Sequence, residues 1–112
     1  MKAPDRGDLV WIDFDPQSGR EQAGRRPALI LTPAAYNRPV GLAVFCPVTK
    51  QAKGYPFETA LPPGLPVQGV VLADHVRSLD WRTRHAEFIC AAPIEVVDEV
   101  TAKVQALISG ED

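Results

Sequence analysis

Two polar segments of this chain carry side chains that could act together on a phosphodiester. The first is the loop at residues 17–26, which contains Glu21 and ends in Arg25 and Arg26, and the second begins at Thr49. A guanidinium presents a planar fork of N–H donors that matches two phosphate oxygens. A carboxylate can take up a proton, and a hydroxyl can bond to a phosphate oxygen. We therefore interpret Arg26 as the group that stabilises phosphate charge, Glu21 as the base and Thr49 as a hydroxyl contact.

These groups match the needs of RNA cleavage without a metal. The ribose 2′-hydroxyl attacks the adjacent phosphorus, so the protein must remove its proton, stabilise a dianionic phosphorane and protonate the departing 5′-oxygen. The flanking arginines oppose an upward shift of the pKa of Glu21. A guanidinium does not readily give up a proton, so Glu21 or water is left as the proton donor and the choice between them stays open.

Other chemistries have weaker support. The phosphate-binding pattern G-x-x-x-x-G-K-[ST], the dinucleotide pattern G-x-G-x-x-G and the G-x-S-x-G elbow do not occur in the sequence. His75 and His85 could supply an acid and a base, as in some ribonucleases, or hold a metal, but neither has a closely spaced cysteine or histidine partner. We expect no metal and no cofactor.

The charges are unevenly distributed along the chain. The net charge is −2, yet residues 17–60 carry six basic and two acidic residues, a local charge of +4. Residues 61–112 carry four basic and eight acidic residues, a local charge of −4. A local positive field suits contact with phosphates even on an acidic protein. A solvated basic face without a ligand would give the same charge distribution.

Short apolar runs separated by Gly and Pro predict a mainly β protein. We predict strands at residues 8–14, 28–31, 41–48, 57–61, 69–73 and 86–90, with a hairpin tip at the proline-rich residues 62–66. After Pro93, six apolar residues recur at helical spacing and predict a terminal helix with one face on the sheet, namely Ile94, Val97, Val100, Val104, Leu107 and Ile108. This pattern favours a small, strongly bent sheet or barrel with helices as lids.

The 112 residues suit a single domain, 1–112, with one core. Cys46 and Cys90 lie in separate apolar stretches and are interpreted as reduced core thiols. No apolar run approaches the roughly 20 residues that span a bilayer, and the polar start is unlike a signal peptide, so we expect a cytoplasmic protein with no membrane contact.

Four segments in order along the chain resemble the MazF/PemK family of toxin endoribonucleases. They are G-D-L-V-W-I-D-F-D-P at residues 7–16, G-R-E-Q-A-G-R-R-P-A at 19–28, P-V-T-K-Q-A-K-G-Y-P-F-E at 47–58 and G-V-V-L-A-D-H-V-R-S-L-D-W-R at 69–82. Each motif alone is only suggestive, whereas four in the right order and spacing are highly specific. The resemblance covers nearly the whole chain.

The resemblance implies a fold, a reaction and partners. The fold would be an SH3-like small β-barrel of the MazF/PemK/CcdB type with a C-terminal helix, in a homodimer. The reaction would be sequence-specific, metal-independent cleavage of single-stranded RNA, leaving a 2′,3′-cyclic phosphate and a 5′-hydroxyl. The partner would be a cognate MazE-like antitoxin whose acidic, disordered tail covers the RNA groove of the toxin, as an extended acidic chain can mimic a phosphate backbone.

The family motifs also suggest roles for individual residues. The G-x-R-P element implies that Arg26 is catalytic, and the P-x-T element implies the same for Thr49. The E-Q-A-G loop places Glu21 and Gln22 beside the RNA. Further RNA-binding candidates lie at variable motif positions or on the loop and strand after Thr49, namely Arg25, Lys50, Gln51, Lys53, Tyr55 and Phe57. A basic and aromatic segment with Arg77, Trp81, Arg82 and Arg84 could serve the dimer, the antitoxin or RNA.

Two alternatives belong to other functional classes. One is a non-enzymatic toxin of the same fold that poisons a topoisomerase, for which loss of Arg26 should not matter. The other is a nucleic-acid-binding barrel without enzymatic activity, which should bind RNA in a salt-sensitive manner and leave it intact.

Overall fold

The computed structural model describes residues 2–14 and 24–110. Glu21 and Gln22, predicted to act in catalysis and RNA placement, lie outside the described residues. The elements of the described chain follow in the order β1 (Asp8–Asp13), β2 (Arg25–Ile30), α1 (Ala34–Val40), β3 (Leu42–Thr49), β4 (Glu58–Ala60), β5 (Val70–Leu72), a 3₁₀ helix (Ala73–His75), β6 (Arg77–Asp80), β7 (Glu87–Ala91) and α2 (Ile94–Ser109).

The strands form an antiparallel sheet in the order β4-β5-β3-β2-β1-β7, with β6 also paired to β3. One edge of β3 pairs with β2. The other edge is shared, because β6 pairs along Leu42–Phe45 and β5 pairs at Val48 and Thr49. A strand that changes partners along one edge bends the sheet, and the predicted fold class, mainly β with helices, is confirmed. Within the described residues no pairing joins β4 to β7, so the sheet there is not a closed barrel.

The central strands bury residues on both sides of the sheet. Alternate residues of a strand point to opposite sides, and each side is covered by its own hydrophobic cluster. Leu9 and Leu29 pack on one side with buried valines of α2, whereas Val10 and Ala28 pack on the other side with Trp81. The predicted single core is therefore two hydrophobic clusters separated by the sheet. This arrangement holds β1, β2 and β3 rigidly in the middle of the molecule.

The second strand begins three residues earlier than the sequence predicted. Arg25 and Arg26 lie on β2, opposite Asp13 and Ile12 of β1, rather than on the preceding loop. Pro27 is tolerated in this strand because the β2–β3 register pairs begin only at Ala28, so β2 needs no donor toward β3 at that point. Tertiary pairing with β1 outweighs the polar composition of this segment.

The sequence did not predict α1 or β6. The helix α1 has Pro33 at its N-cap position without a side-chain cap, and Pro39 lies inside it, so its local helical signals are weak. It is fixed by tertiary contacts of the buried Asn37, whose amide donates to the carbonyls of Pro4 and Thr32. Trp81 Nε1 donates to the Asn37 carbonyl at 2.8 Å and ties α1 to the residue after β6.

The terminal helix is confirmed as α2, but its predicted apolar face is too wide. Val97, Val100 and Val104 are buried with Val96, whereas Ile94 and Ile108 are 64% and 76% exposed and Leu107 is also exposed. These exposed apolar residues all lie in the first or last turn of the helix. It ends at Gly110, whose left-handed backbone lets its N–H donate to the Ala106 carbonyl.

The two cysteines are free thiols, as predicted. Cys46 is fully buried in β3, and burial raises its pKa to about 12. Cys90 is half-buried on β7, and burial raises its pKa as well. Neither described helix is long and apolar enough to cross a membrane.

Candidate active site

Arg26 and Thr49 line the same surface cleft, which has a volume of about 460 Å³. Strand β2 contributes Arg26, the end of β3 contributes Thr49, and Trp11 of β1 forms another part of the lining. The remaining lining residues are Pro27, Val48, Lys50, Gln51, Pro66, Val67 and Gln68. The cleft therefore brings together four predicted site residues that come from two separate sequence motifs, namely Arg26, Thr49, Lys50 and Gln51.

Strand register explains why residues 23 positions apart meet. In the β2–β3 ladder Ala28 lies opposite Pro47, and continuing the same antiparallel register by two residues places Arg26 opposite Thr49. On the other side of β2, Arg26 lies opposite Ile12 of the buried core. The backbones of both residues are thus fixed by the sheet, as a preorganised site requires.

Neighbouring arginines on β2 are used in different ways. Arg25 donates from Nη1 to Asp13 Oδ1 at 2.8 Å and from Nη2 to Glu87 Oε1 at 2.9 Å, which connects β2 to β1 and β7. Burial lowers the pKa of Arg25, but the two carboxylates together outweigh burial and raise that pKa overall. The Arg26 side chain is exposed and makes no hydrogen bond or ion pair to another residue among 2–14 and 24–110. Its guanidinium is therefore available for an anion.

The cleft is positively charged. Its charged lining residues within the described chain are Arg26 and Lys50, and neither Asp nor Glu contributes to that lining. Two cations with no carboxylate beside them among residues 2–14 and 24–110 favour a bound phosphate over a neutral ligand. The positive field predicted for residues 17–60 is therefore partly concentrated in this cleft.

Hydroxyl and amide groups accompany the two cations. Thr49 is half-buried, and its Oγ1 accepts a hydrogen bond from the backbone N–H of Gln51 at 3.2 Å. This contact uses one lone pair and leaves the hydroxyl proton available to a substrate oxygen. Gln68 lies on the connection between β4 and β5, where its Nε2 donates to the Leu65 carbonyl at 2.8 Å. The oxygen of that amide stays available as an acceptor.

Four of the predicted RNA-binding residues lie outside the cleft lining. Arg25 is held by its two carboxylates, and Phe57 packs against the hydrophobic cluster beneath α2. Tyr55 donates its hydroxyl to Asp74 Oδ1 at 2.9 Å, a bond that raises the pKa of the phenol. The Lys53 side chain is exposed, while its backbone N–H donates to Glu58. Their contact with RNA stays a prediction.

The two histidines are also absent from the cleft lining. His85 Nδ1 lies 2.9 Å from Asp13 Oδ2, and His75 Nε2 lies 4.0 Å from Asp74. The bond from Arg25 together with His85 holds the pKa of Asp13 below its usual value. The geometry therefore gives no support to a histidine acid–base pair in this cleft. The described residues contain no group of three or more His, Cys, Asp or Glu side chains that could hold a metal.

Sequence reasoning missed Trp11 and Gln68 as lining residues. Trp11 is 39% exposed although its neighbours Leu9, Val10 and Ile12 are buried. Its position between the buried Val10 and Ile12 is a signal that could have placed it on the opposite face of β1. An exposed indole in a cationic cleft provides a surface on which a base can stack. Gln68 follows a proline-rich turn and has no comparable local signal.

The model of the PemK-like, MazF-like toxins of type II toxin–antitoxin systems matches residues 5–108. The chain belongs to this family. The sequence-based assignment to the MazF/PemK family is thus confirmed over nearly the full length of the chain.

Individual members of the family agree closely with this chain. The endoribonuclease toxin MazF of Escherichia coli K12 is 48% identical over 105 residues, which cover 94% of each protein. The crystal structure of MazF from Deinococcus radiodurans (Form-I) is 60% identical, with a TM-score of 0.88, and the match covers 96% of this chain and 97% of that one. MazF in a MazE–MazF crystal structure from the same organism (Form-II) is 54% identical, with a TM-score of 0.84 and 98% of both chains covered. The predicted enzyme class, an endoribonuclease, is confirmed by relatives at this level of identity.

Proposed function

We propose that this endoribonuclease is a toxin that cleaves single-stranded RNA in a sequence-specific, metal-independent reaction within the cleft of Arg26 and Thr49. The observation that carries the proposal is the guanidinium of Arg26, which has no partner among the residues that the structure describes and lies in a cationic cleft beside a hydroxyl and an exposed indole. Phosphate, ribose hydroxyl and base each have a matching group in that arrangement.

In the proposed reaction the 2′-oxygen forms a bond to phosphorus as the bond from phosphorus to the 5′-oxygen breaks. The proton of the 2′-hydroxyl goes to a base, for which Glu21 is the sequence-based candidate. The departing 5′-oxygen takes up a proton from Glu21 or from water. The products are a 2′,3′-cyclic phosphate and a 5′-hydroxyl, and no water is consumed because the proton taken by the base balances the one that the 5′-oxygen receives.

Arg26 stabilises the charge that develops on the phosphorane oxygens. Its fork of donors can contact two non-bridging oxygens, and the loss of one such preorganised contact commonly costs a factor of about 10² to 10³ in rate. The Thr49 hydroxyl donates a hydrogen bond to a phosphate oxygen or to the attacking group. Lys50 adds a point charge that attracts the RNA backbone.

Selection of a cleavage sequence is assigned to the neutral polar and aromatic residues. Gln51 and Gln68 present amides that can hydrogen bond to base edges, and Trp11 presents a stacking surface. Single-stranded RNA is the substrate that fits, since unpaired bases are free to stack and to expose their edges.

Two partners complete the proposal. The first is a cognate antitoxin, supported by the MazE–MazF complexes of similar D. radiodurans proteins. An acidic antitoxin tail would bind in the same cationic cleft and compete with RNA. The second is another copy of this chain, with which it forms a homodimer. We place the protein and both partners in the cytoplasm.

The test is incubation of the purified protein with a long single-stranded RNA in excess EDTA, with the new ends mapped. We expect cuts that recur at one short sequence, carry a 5′-hydroxyl and a cyclic phosphate, and disappear for Arg26→Ala. RNA that stays intact while bound would support the nucleic-acid-binding alternative. Absence of both binding and cleavage would support the topoisomerase alternative.

A further inference from the structure

Gly69 differs from the other described glycines with a positive φ in how closely it approaches a second backbone segment. Its φ is +126°, and a Cβ at this position would collide with the Thr49 carbonyl oxygen. That Cβ would also lie 2.9 Å from the Thr49 carbonyl carbon and 3.3 Å from Lys50 Cα. At Gly41, Gly54, Gly64 and Gly110 a Cβ would meet nothing within 4 Å, and at Gly7 it would lie 3.5 Å from the nearest atom, Val97 Cγ2.

The contact lies where two segments of the cleft lining come together. Gly69 directly follows Gln68, and it touches the backbone of Thr49 and Lys50. In the β3–β5 register Thr49 lies opposite Val70, so the next pair along the ladder would be Lys50 and Gly69. The bare backbone of Gly69 therefore sets the spacing between the segment 48–51 and the segment 66–68.

Gly69 cannot simply move away from Thr49. Its carbonyl accepts the Leu61 N–H at 2.9 Å on the β4 side, and the adjacent Val70 is buried in β5. The backbone of Gly69 is thus held between β4 and the end of β3. A side chain added here would press on Thr49, the last residue of β3, and on Lys50, which follows the strand.

We propose that Gly69 is a positioning residue for the Thr49 hydroxyl and the Lys50 ammonium. It acts through the Thr49 carbonyl, and any shift of Thr49 is transmitted to Gln51, whose N–H bonds to Thr49 Oγ1. The inference rests on the proposed function, because it assigns Gly69 to the cleft in which RNA is cleaved.

Gly69→Ala tests this inference, and Gly64→Ala is its matched control. Gly64 lies in the same connection between β4 and β5 and has a φ of +95°, but its Cβ would enter open space. Both variants place alanine in the left-handed region, and only Gly69→Ala adds the collision. The difference between the two variants therefore isolates the contact with Thr49.

The first readout is single-turnover cleavage of RNA at saturating protein, together with the affinity for a fully 2′-O-methylated RNA that lacks the attacking hydroxyl. We expect Gly69→Ala to cleave about 100-fold more slowly than Gly64→Ala, the cost typical of a misplacement of about 1 Å. We expect the affinity for the methylated RNA to fall less than about tenfold, since positioning acts mainly on the rate of the chemical step.

The second readout is the set of backbone amide resonances of Thr49, Lys50 and Gln51 by NMR. The chemical shifts of these amides should differ from wild type in Gly69→Ala and match wild type in Gly64→Ala. Equal cleavage by the two variants, or unmoved resonances in Gly69→Ala, would overturn the inference. A Gly69→Ala protein that does not fold while Gly64→Ala does would also overturn it, because the fold rather than the cleft would then require the glycine. If the wild-type protein fails to cleave RNA, the proposed function fails, and the resonances still decide whether Gly69 positions Thr49.

Discussion

Arg25 and Arg26 offer a paired test of the site, because these adjacent arginines of one strand have different expected roles, one in stability and one in catalysis. Arg25 is tied to two carboxylates, and Arg26 is exposed in the cleft without a partner in the described chain. Replacing each by alanine should therefore separate stability from catalysis. We expect Arg25→Ala to lose stability with most of its activity retained, and Arg26→Ala to lose activity at nearly unchanged stability.

The expected magnitudes follow from the partners. Hydrogen bonds to charged groups contribute about 1.5–3 kcal/mol when buried, and exposed ion pairs contribute about 0–1 kcal/mol. Asp13 is 22% exposed and keeps His85 as a partner, while Glu87 is 71% exposed, so we expect a net loss of about 1–2 kcal/mol for Arg25→Ala. That corresponds to a fall in Tm of about 4–10 °C for a domain of this size. Arg26→Ala should change stability by less than about 0.5 kcal/mol and slow cleavage about 10² to 10³-fold.

Thermal unfolding followed by circular dichroism measures the first effect, and the initial rate of RNA cleavage in EDTA measures the second. Rates are compared well below the Tm of both variants. Arg26→Lys is a matched variant that keeps the charge but removes the fork, and it should fall between wild type and Arg26→Ala. Cleavage by Arg26→Ala within threefold of wild type would refute the assignment of the phosphate-binding group. A large loss for Arg25→Ala without unfolding would instead show that Arg25 contacts RNA, as the sequence predicted.

Three further predictions concern the cleft, the acid limit of stability and the thiols. Trp81 is fully buried and Trp11 is 39% exposed in the cleft, so the 2′-O-methylated RNA should quench tryptophan fluorescence in wild type but not in Trp11→Phe. An equal quench in both proteins would place the RNA outside the cleft. Arg25 holds the pKa of Asp13 low, so the contribution of the Asp13 carboxylate to stability is present above the usual carboxyl pKa of about 3.9 and is lost as the pH falls through the lowered value. The Tm of Asp13→Asn should therefore lie below that of wild type at pH 7, and the difference should close toward pH 2. A pKa of about 12 and full burial should keep Cys46 unreactive toward a thiol reagent at pH 7.5, so the native protein should be labelled at Cys90 alone. Rapid labelling of both thiols before denaturation would contradict this expectation.

The sequence predicted best those elements whose signals are local. Alternating or continuous apolar runs identified β1 and β3, and the spacing of Val97, Val100 and Val104 identified α2. The order of the family motifs then identified Arg26 and Thr49 as site residues, and the structure places both in one cleft. Catalytic roles for these residues stay predictions that the variants above will test.

Features that depend on tertiary contact were not predictable. The polar sequence around Arg25 becomes a strand because it pairs with β1. The helix α1 forms without a side-chain cap at Pro33 because the side chain of Asn37 is bonded inside the fold. Likewise, no single sequence motif indicates that Trp11 and Gln68 share a cleft with Thr49. Their proximity is created by the order of the strands in the sheet.

The hydrogen bond from Trp81 to Asn37 has a consequence for the synthesis of the protein. Its two residues are separated by 44 positions, and α1 has little helical preference of its own. The Asn37 carbonyl accepts the Gly41 N–H within α1, but its second donor, Trp81, is translated 44 residues after Asn37, and β1 must wait still longer for its β7 neighbour. The residues of the cleft thus emerge from the ribosome before the segments that hold them in place, so an incomplete chain carries the chemical groups without their geometry.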